Sequence, residues 1–384
     1  MTYLLIFLVI TYCVIKYDIC EYESGGDKWY RFIWIYLTIV SGLAYRLGGD
    51  GIVYVWEYPM YTVSDGFSWT ALTAYNNRLP AWVILNKLCK LVTGDYWFFK
   101  LVHAIIINSL FGHYIKTYTR YVFSSTLFYF LLLYFDLNFQ LLRQVLAIGF
   151  FLYGIRFYEE NNWLKYYIVS VIAVLFHESA VITFVFPLMK LIKYNKKSMI
   201  ILFALVIILF YAGNQLFNSI LSSLPELFEG KAFIYKTDRE SLSFVALLLN
   251  IILSSIIPIF VICCTEKVNV NYIGAIAYGL CYSIGCSVPI FYRFSMYFQL
   301  FFYVFYIDLF YSICTNVMLA LKKNYAFFVS YFLIVFAFLT FRGRMYFSTY
   351  GDTGQPAWVQ FYPYSSVIFK ETYPNREQLF NKIE

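Results

Sequence analysis

The sequence predicts an all-α protein that crosses a membrane many times. Hydrophobic residues make up 61% of the 384 residues and charged residues only 13%, a composition that excludes an ordinary soluble domain. Long apolar runs alternate with short loops that contain lysine, which is the charge distribution expected of an inner-membrane protein under the positive-inside rule. The net charge of +7 is therefore assigned to membrane topology, and nucleic acid is not expected as a partner.

Most of the chain is predicted to form membrane-spanning helices, because many segments approach the roughly 20 apolar residues that a span requires. The candidate segments are residues 2–17, 31–46, 97–115, 121–136, 138–157, 198–214, 242–264, 273–290, 292–313 and 325–341. The first of them lacks a basic start and a small-residue cleavage site, so we interpret it as a retained span rather than a signal peptide. Together with two less regular regions, these segments predict about 10–12 transmembrane helices, with membrane lipids as the surrounding partner.

The two less regular regions are residues 79–93 and 166–192. The first carries Lys87 and Lys90 on a moderately apolar background, which predicts an interfacial or re-entrant helix. The second is too long for one span and too short for two. Because the lysine-rich loops on both sides of it are expected to stay cytoplasmic, we predict a re-entrant hairpin of two short helices that turns near His177.

The predicted organisation is a single multispanning membrane domain over residues 1–341 and an extracytoplasmic tail over residues 342–384. Within the domain, outer loops are predicted at residues 46–96 and 214–241. This topology places many polar residues, which are costly inside a membrane, together at the outer face of the membrane. They are Arg46, Asp50, Glu57, Arg78, Asp136, Arg143, His177, Glu178 and Arg293.

Arg143 stands in the apolar run "LLRQVLAIGFFLYG", where an unpartnered charge costs roughly 2.5–3.5 kcal/mol on the mildest insertion scales. Asp136, Gln140 and Arg143 are spaced i, i+4 and i+7, so a continuous helix would place them on one face. Two interpretations stay open. The residues form a structural Asp–Arg pair, or Arg143 binds phosphate oxygens through its planar fork, with Gln144 adding a hydrogen bond.

Arg293 lies in "SVPIFYRFSMYFQL", at the predicted outer end of a long aromatic helix, with Tyr297 one turn further on. An arginine beside a tyrosine at this depth is commonly a snorkelling anchor at the membrane interface. Alternatively, Arg293 and Arg143 lie at similar depth on the same side and form two converging cations that suit a pyrophosphate.

His177 lies in "VLFHESA" at the proposed hairpin turn, and its imidazole is suited to taking a proton near neutral pH. It is interpreted either as a general base or substrate contact, or as a hydrogen-bonded core residue. Glu178 is the alternative base or the orienting partner of His177. His103 and His113 stand alone in their apolar segment and are interpreted as hydrogen-bonded core residues.

The first outer loop, "YRLGGDGIVYVWEYPMY", combines a glycine-rich turn around Asp50 with a run of aromatic residues. Such a turn lets the backbone approach a ligand, although a plain exit turn explains it as well. The aromatic run is either a platform for sugar rings or a membrane-interface anchor. The eight cysteines form no CxxC pattern and no Cys/His cluster, so we expect neither a metal site nor a cofactor.

A series of short motifs resembles the EpsG family of exopolysaccharide polymerases, which are related in role to the Wzy-type polymerases of O-antigen and capsule. The motifs are "YRLGGDGIVYVWEYPMY", "LLRQVLAIGFFL", "LFHESAVI", "FYRFSMYF" and "YPYSSVIF", and their order and spacing match along nearly the whole chain. The resemblance implies a fold similar to the GT-C type lipid-sugar transferases. It also implies a glycosyltransferase that joins undecaprenyl-pyrophosphate-linked oligosaccharide repeat units at the outer face of the bacterial inner membrane, in a pathway with a flippase and a chain-length regulator.

Under this resemblance, Arg143 and Arg293 hold the departing pyrophosphate, and His177, supported by Glu178 or Asp50, takes the proton of the acceptor hydroxyl. The remaining residues expected to bind substrate are Arg46, Arg78, Asp136, Gln144 and Tyr297. The sequence departs from the family pattern at "NNRLPAWVILNKL", where an arginine stands in place of the expected acidic residue. Two other functions remain open: a flippase of lipid-linked sugars, and a membrane sugar O-acyltransferase that uses His177.

Overall fold

The computed structural model describes residues 2–75, 78–202, 204–206, 208, 251–264, 268–285, 289–321 and 354–380. The predicted outer loop 214–241 and the predicted span 325–341 lie outside the described residues, as do parts of the predicted spans 198–214 and 242–264. Within the described part of the chain the regular structure is helical, and the backbone pairing of Ala44 with Ser366 is an isolated antiparallel bridge. The all-helical class is confirmed, whereas the GT-C-like architecture stays a prediction.

The helices follow one another along the chain with short connections. Their bounds are α1 Thr2–Cys13, α2 Gly26–Gly42, α3 Gly49–Glu57, α4 Trp69–Thr73, α5 Pro80–Val92, α6 Tyr96–Tyr118, α7 Val122–Leu132, α8 Tyr134–Phe139, α9 Leu142–Glu159, α10 Trp163–Val174, α11 Ile182–Val185, α12 Ile257–Cys264, α13 Val270–Gly285, α14 Pro289–Ser295, α15 Gln299–Leu321 and α16 Pro374–Phe380. A π-helical turn over Val14–Ile19 extends α1.

Three helical stretches in the described part are long and apolar enough to cross a membrane: Thr2–Ile19, Tyr96–Tyr118 and Ile290–Ile313. They fall on the predicted spans 2–17, 97–115 and 292–313. Shorter apolar helices lie at Val122–Leu132, Trp163–Val174 and Ile252–Cys264. The protein is therefore helical and membrane-embedded, while the total of 10–12 spans stays a prediction.

The chain divides into two compact units. The first consists of Met1–Tyr153, Val171–Glu178 and Ile307–Glu384, and the second of Gly154–Ser170 and Ser179–Tyr306.

Close packing of α2 against α6 forms the centre of the first unit. Gly112 of α6 lies against the ring of Trp34, so that a Cβ at this position would come within 2.8 Å of the indole. Tyr30 donates its hydroxyl hydrogen to the Gly112 carbonyl oxygen at 2.7 Å. A small residue lets two helices approach closely, which is how membrane helices associate when the hydrophobic effect between them is weak.

A buried polar network joins α2, α6, α7 and α8. Asn108 donates to Ser41 Oγ at 3.2 Å and to Asn138 Oδ1 at 3.1 Å. Tyr129 donates to Asn108 Oδ1 at 3.1 Å and accepts from Asn138 Nδ2 at 3.0 Å. A satisfied network of this kind fixes the relative positions of its helices, because each unmade hydrogen bond in an apolar interior is costly.

The boundary predicted between the spans 121–136 and 138–157 lies a few residues later, in the break between α8 and α9. The Leu142 amide donates to the Gln140 carbonyl at 3.0 Å, and α9 begins only at Leu142. Asp136 and Arg143 would share one face only on a continuous helix, and that condition is not met because the helix is interrupted after Phe139. At the break, the Gln140 side chain donates to Gln360 Oε1 at 2.9 Å.

The segment after Gly354 packs on the residues that follow α2. The Tyr45 amide donates to the Ser365 carbonyl, and the Val367 amide donates to the Leu43 carbonyl, each at 2.9 Å. Ile52 of α3 forms an apolar cluster with Val359, Leu379 and Phe380. The C-terminal segment is thus part of the first unit rather than an independent tail.

The predicted hairpin region begins with α10, and its helix ends close to His177. The His177 amide donates to the Ala173 carbonyl at 3.1 Å, and short helical turns follow at Glu178–Val181, Ile182–Val185 and Phe186–Leu191. The chain therefore changes from one helical piece to another at the predicted turn. That this pair enters and leaves the membrane on one side stays a prediction.

The second unit is held by close approaches of small residues and by stacked aromatic rings. Gly274 lies against the Phe301 ring, and Phe186 stacks on Phe298 with ring centroids 5.4 Å apart. Lys190 donates to Asn161 Oδ1 at 2.7 Å, which joins the end of this helical region to the turn after α9.

Candidate functional site

The candidate site in the first unit begins with α3, the helix that follows the glycine-rich turn. Gly48 adopts φ +81°, a left-handed conformation that glycine accepts without strain, and it precedes the first helical residue. Asp50 lies in the first turn and is exposed. The spacing i, i+4, i+7 places Asp50, Tyr54 and Glu57 on one face of α3, with the Cα atoms of Asp50 and Glu57 about 10 Å apart along the axis.

Glu57 is bound by Arg78 at the far end of this face. Arg78 Nε donates to Glu57 Oε2 at 2.8 Å, and Arg78 Nη2 donates to the other carboxylate oxygen. The two side chains are only 17% and 18% exposed. A two-point contact of this kind fixes both side chains and matches the planar fork of arginine. Arg78 thus stands beside a carboxylate of α3, although the sequence around it departs from the expected family pattern.

Tyr61 lies next to this ion pair, with its hydroxyl 3.5 Å from Glu57 Oε2 and accepting a hydrogen bond from Trp82 Nε1 at 3.0 Å. Burial and the charge of Glu57 raise the pKa of Tyr61 to about 12, while the Trp82 hydrogen bond and the charges of Arg78 and Arg143 act in the opposite direction. The phenol is therefore neutral at physiological pH. The charge of Arg143, which lies in the first turn of α9, therefore acts on the same phenol as the charges of Arg78 and Glu57.

Two lysines of α5 hold the loop that carries Tyr61. Lys90 donates to the carbonyls of Tyr58, Pro59 and Tyr61 at 3.1, 2.8 and 2.6 Å. Lys87, whose side chain is fully buried, donates to the Gly66 carbonyl at 2.8 Å. The helix predicted at residues 79–93 is confirmed as α5, and its ammonium groups cap backbone carbonyls of the loop. Its depth in the membrane stays a prediction.

The turn that carries His177 touches the start of α5. The Ala81 amide donates to the Leu175 carbonyl at 3.1 Å, and Phe176 stacks on Phe150 of α9 with ring centroids 5.3 Å apart. His177 is 4% exposed, whereas Glu178 is exposed. The segment 175–178 thus contacts the first turn of α5, three residues after Arg78, and Phe176 packs on α9 about two turns after Arg143.

Arg46 stands at the other end of the glycine-rich turn. It adopts φ +50°, which residues other than glycine rarely hold, and its guanidinium Nε donates to Glu377 Oε1 at 3.1 Å. A small cavity lies beside it, lined among others by Gly51, Lys100 and Leu142. Lys100 is buried and donates to the Asn138 carbonyl. Arg46 and Lys100 therefore line one cavity together with Gly51 of α3 and Leu142, the first residue of α9.

Gln144 and Asp136, both predicted to bind substrate, take different positions. Gln144 is buried in the first turn of α9, one residue after the half-buried Arg143. Asp136 is half-buried in α8, on the other side of the helix break. His103 is a buried residue whose ring nitrogen lies 2.8 Å from the Leu142 carbonyl oxygen, so its interpretation as a hydrogen-bonded core residue is confirmed. The same interpretation is wrong for His113, because its side chain is exposed.

Arg293 and Tyr297 belong to the second unit. Arg293 is half-buried in α14, and Tyr297 is fully buried with its hydroxyl 3.0 Å from Ser179 Oγ. Tyr297 thus binds the residue that follows the His177–Glu178 pair in sequence. The predicted convergence of Arg293 and Arg143 stays a prediction.

Sequence reasoning did not select Lys100 or Gln360 as site residues, and it considered Tyr61 only as one member of a possible aromatic sugar platform. Lys100 carried the signal that selected Arg143, a charge inside an apolar span. Tyr61 was visible as one of a run of aromatic residues, but its hydrogen bond to Trp82 joins positions 21 residues apart. Gln360 lies far from every predicted site residue in sequence and carried no signal of its own.

The profile of the EpsG family matches residues 28–366, which cover α2 to the C-terminal segment that packs on α3. The chain belongs to the EpsG family. This is the family of Wzy-like polysaccharide polymerases, so the resemblance seen in the motif series is confirmed. Membership of the EpsG family and the apolar helices indicate a membrane protein of the glycosyltransferase-like polymerase type. Searches of curated proteins and of solved structures each returned no match.

Proposed function

We propose that the protein joins oligosaccharide repeat units carried on undecaprenyl pyrophosphate into a surface polysaccharide. The observation that carries the proposal is the EpsG family match over residues 28–366. The cluster of Glu57, Tyr61, Arg78 and Arg143 in the first unit supports it, because the reaction requires fixed positive charge beside hydroxyl-binding groups. The active site is proposed to face the outside of the bacterial inner membrane, with a flippase that supplies the substrate and a chain-length regulator as pathway partners.

In the proposed reaction, a sugar hydroxyl of the acceptor repeat unit attacks the anomeric carbon of the donor. A new carbon–oxygen bond forms, and the bond from that carbon to the phosphate oxygen breaks, with the electron pair leaving on the lipid pyrophosphate. Negative charge develops on the leaving group, and Arg143 is proposed to bind it. Arg78 is already paired with Glu57, so its role is to fix that carboxylate and the neighbouring phenol.

The proton of the attacking hydroxyl needs a base, and we assign it to His177 with Asp50 as the alternative. His177 sits in the broken helical region that contacts α5. Asp50 is exposed on the face of α3 that also carries Tyr54 and Glu57, an arrangement that suits a sugar with hydroxyl groups along its length. The reaction requires a proton acceptor and a site for the anionic leaving group. His177 or Asp50 is proposed to supply the first, and Arg143 the second.

The proposal is tested with membranes that carry the protein and a lipid-linked repeat unit prepared from the same pathway. Wild-type membranes are expected to convert single units into a ladder of longer lipid-linked chains. Movement of single units across the bilayer without a ladder would instead identify a flippase. In the same assay, loss of the ladder in His177→Gln and its retention in Asp50→Asn would assign the base to His177, and the reverse pattern would assign it to Asp50.

A further inference from the structure

One buried glutamine joins the two helices that carry predicted catalytic and anion-binding residues. Gln360 is 3% exposed, at the end of a 3-10 turn over Ala357–Gln360. Its side-chain Oε1 accepts from the Gly49 amide and from Gln140 Nε2, each at 2.9 Å. Its main-chain carbonyl accepts from the Gly48 amide at 3.0 Å. Three donors from two places in the chain therefore converge on this residue.

The donors lie at the starts of two helices. Gly49 is the first residue of α3, directly before Asp50. Gln140 lies in the break before α9, three residues ahead of Arg143. The side-chain oxygen of Gln360 thus sets the distance between the beginning of α3 and the beginning of α9. The start of α3 also lies directly against the end of α8, because a Cβ at Gly51 would collide with the Phe139 carbonyl oxygen.

We propose that Gln360 is a positioning residue that holds Asp50 and Arg143 in register for the transfer reaction. The inference rests on the proposed function, because it concerns the geometry of that site. A displacement of about 1 Å between reacting groups costs on the order of 10²-fold in rate. Loss of an oxygen that fixes two helix starts is therefore expected to lower kcat strongly. The C-terminal segment then positions residues of the site in addition to packing on α3.

Two substitutions separate the hydrogen bonds of Gln360 from its volume. Gln360→Met keeps the length and shape of the side chain and removes the acceptor. Gln360→Glu keeps an oxygen that accepts from Gly49 and Gln140, and negative charge is favourable near a helix N-terminus. Ser365→Ala is the matched control, because the buried Ser365 hydroxyl donates to the Glu371 carbonyl at 2.6 Å inside the same segment.

The kinetic test measures elongation of the lipid-linked repeat unit as a function of its concentration. Gln360→Met is expected to lower kcat about tenfold or more with a smaller change in KM, since the missing contact misplaces reacting groups. Gln360→Glu is expected to recover kcat to within about threefold of wild type. Ser365→Ala is expected to keep wild-type kcat at a thermal stability similar to that of Gln360→Met.

Wild-type kcat in Gln360→Met, or an equal loss in Gln360→Glu, would overturn the proposal. If Gln360→Met does not fold, Gln140→Leu removes the same contact from the α9 side and is judged by the same criteria. Hydrogen exchange of the peptide spanning residues 45–57 gives a readout that does not depend on the reaction. Exchange at the Gly49 amide, which loses its side-chain acceptor, is expected to rise in Gln360→Met and not in Ser365→Ala, and unchanged exchange would contradict the contact. An inactive wild type with the expected exchange pattern would count against the proposed function alone.

Discussion

Arg78 and Glu57 form a two-point ion pair between the end of α3 and the chain just before α5, with Nε and Oε2 2.8 Å apart. The pair is largely buried and borders the Tyr61 phenol, on which the charge of Arg143 also acts. It therefore holds an aromatic residue and a carboxylate in fixed positions beside the cation that we assign to the leaving group. Removing one partner of such a pair leaves the other charge without compensation in a poorly hydrated place, whereas removing one partner of a surface pair has little effect on stability.

Glu57→Gln is expected to destabilise the first unit by about 1–3 kcal/mol and to reduce elongation, because Arg78 then lacks its charged partner in a poorly hydrated place. Exchanging the two residues, with Glu57→Arg and Arg78→Glu together, is expected to recover part of the stability. Thermal unfolding in detergent measures the first effect and product length the second.

The control for this experiment is the exposed pair of Lys116 and Asp27, whose side chains are 51% and 71% exposed. Asp27→Asn is expected to leave the unfolding temperature nearly unchanged, as is usual for a solvated ion pair. Equal losses from Glu57→Gln and Asp27→Asn would contradict the importance given to the buried pair.

Gly51→Ala is expected to destabilise the protein by about 1–3 kcal/mol, because the added methyl group would collide with the Phe139 carbonyl oxygen at the break before α9. Gly94→Ala is the control, since nothing lies within 4 Å of a Cβ at that position. Unfolding temperatures that fall equally in both variants would show that the approach of α3 to the α8–α9 break is not tight.

Lys90→Met is expected to impair elongation more strongly than Lys87→Met, even where both variants lose similar stability. Lys90 holds three carbonyls of the chain from Tyr58 to Tyr61, whereas Lys87 holds the Gly66 carbonyl further from the ion pair. Loss of these charged hydrogen bonds costs about 1–3 kcal/mol in each case. The ratio of kcat between the two variants is the measurement, and a larger loss in Lys87→Met would contradict the assignment of Lys90 to the Tyr61 loop.

Local features of the fold were predictable from the sequence. The spans at residues 2–17 and 97–115 were visible because hydrophobic length is a property of the segment itself. The helix at residues 79–93 and the break near His177 were also visible, since short or interrupted apolar runs do not fit the length of a span.

Contacts distant in sequence were not predictable in the same way. At the break between α8 and α9, Gln140 binds Gln360, which is 220 residues away in sequence. The partner of Arg46 is Glu377, 331 residues away. A charge in an apolar run predicts a polar partner, because burying the charge alone is costly. One sequence does not show which residue that partner is. For that reason Arg78 and Arg46 were predicted to bind substrate, and the structure shows both held by glutamates.

The measurement that tests the account most directly is the length of the lipid-linked product made by Arg143→Ala membranes, compared with wild type and Arg143→Lys at matched expression. We expect single repeat units to accumulate in Arg143→Ala, because the departing pyrophosphate loses its fixed cation, with partial elongation in Arg143→Lys, which keeps the charge without the planar fork. A wild-type ladder of products in Arg143→Ala would contradict the assignment of Arg143 to the leaving group.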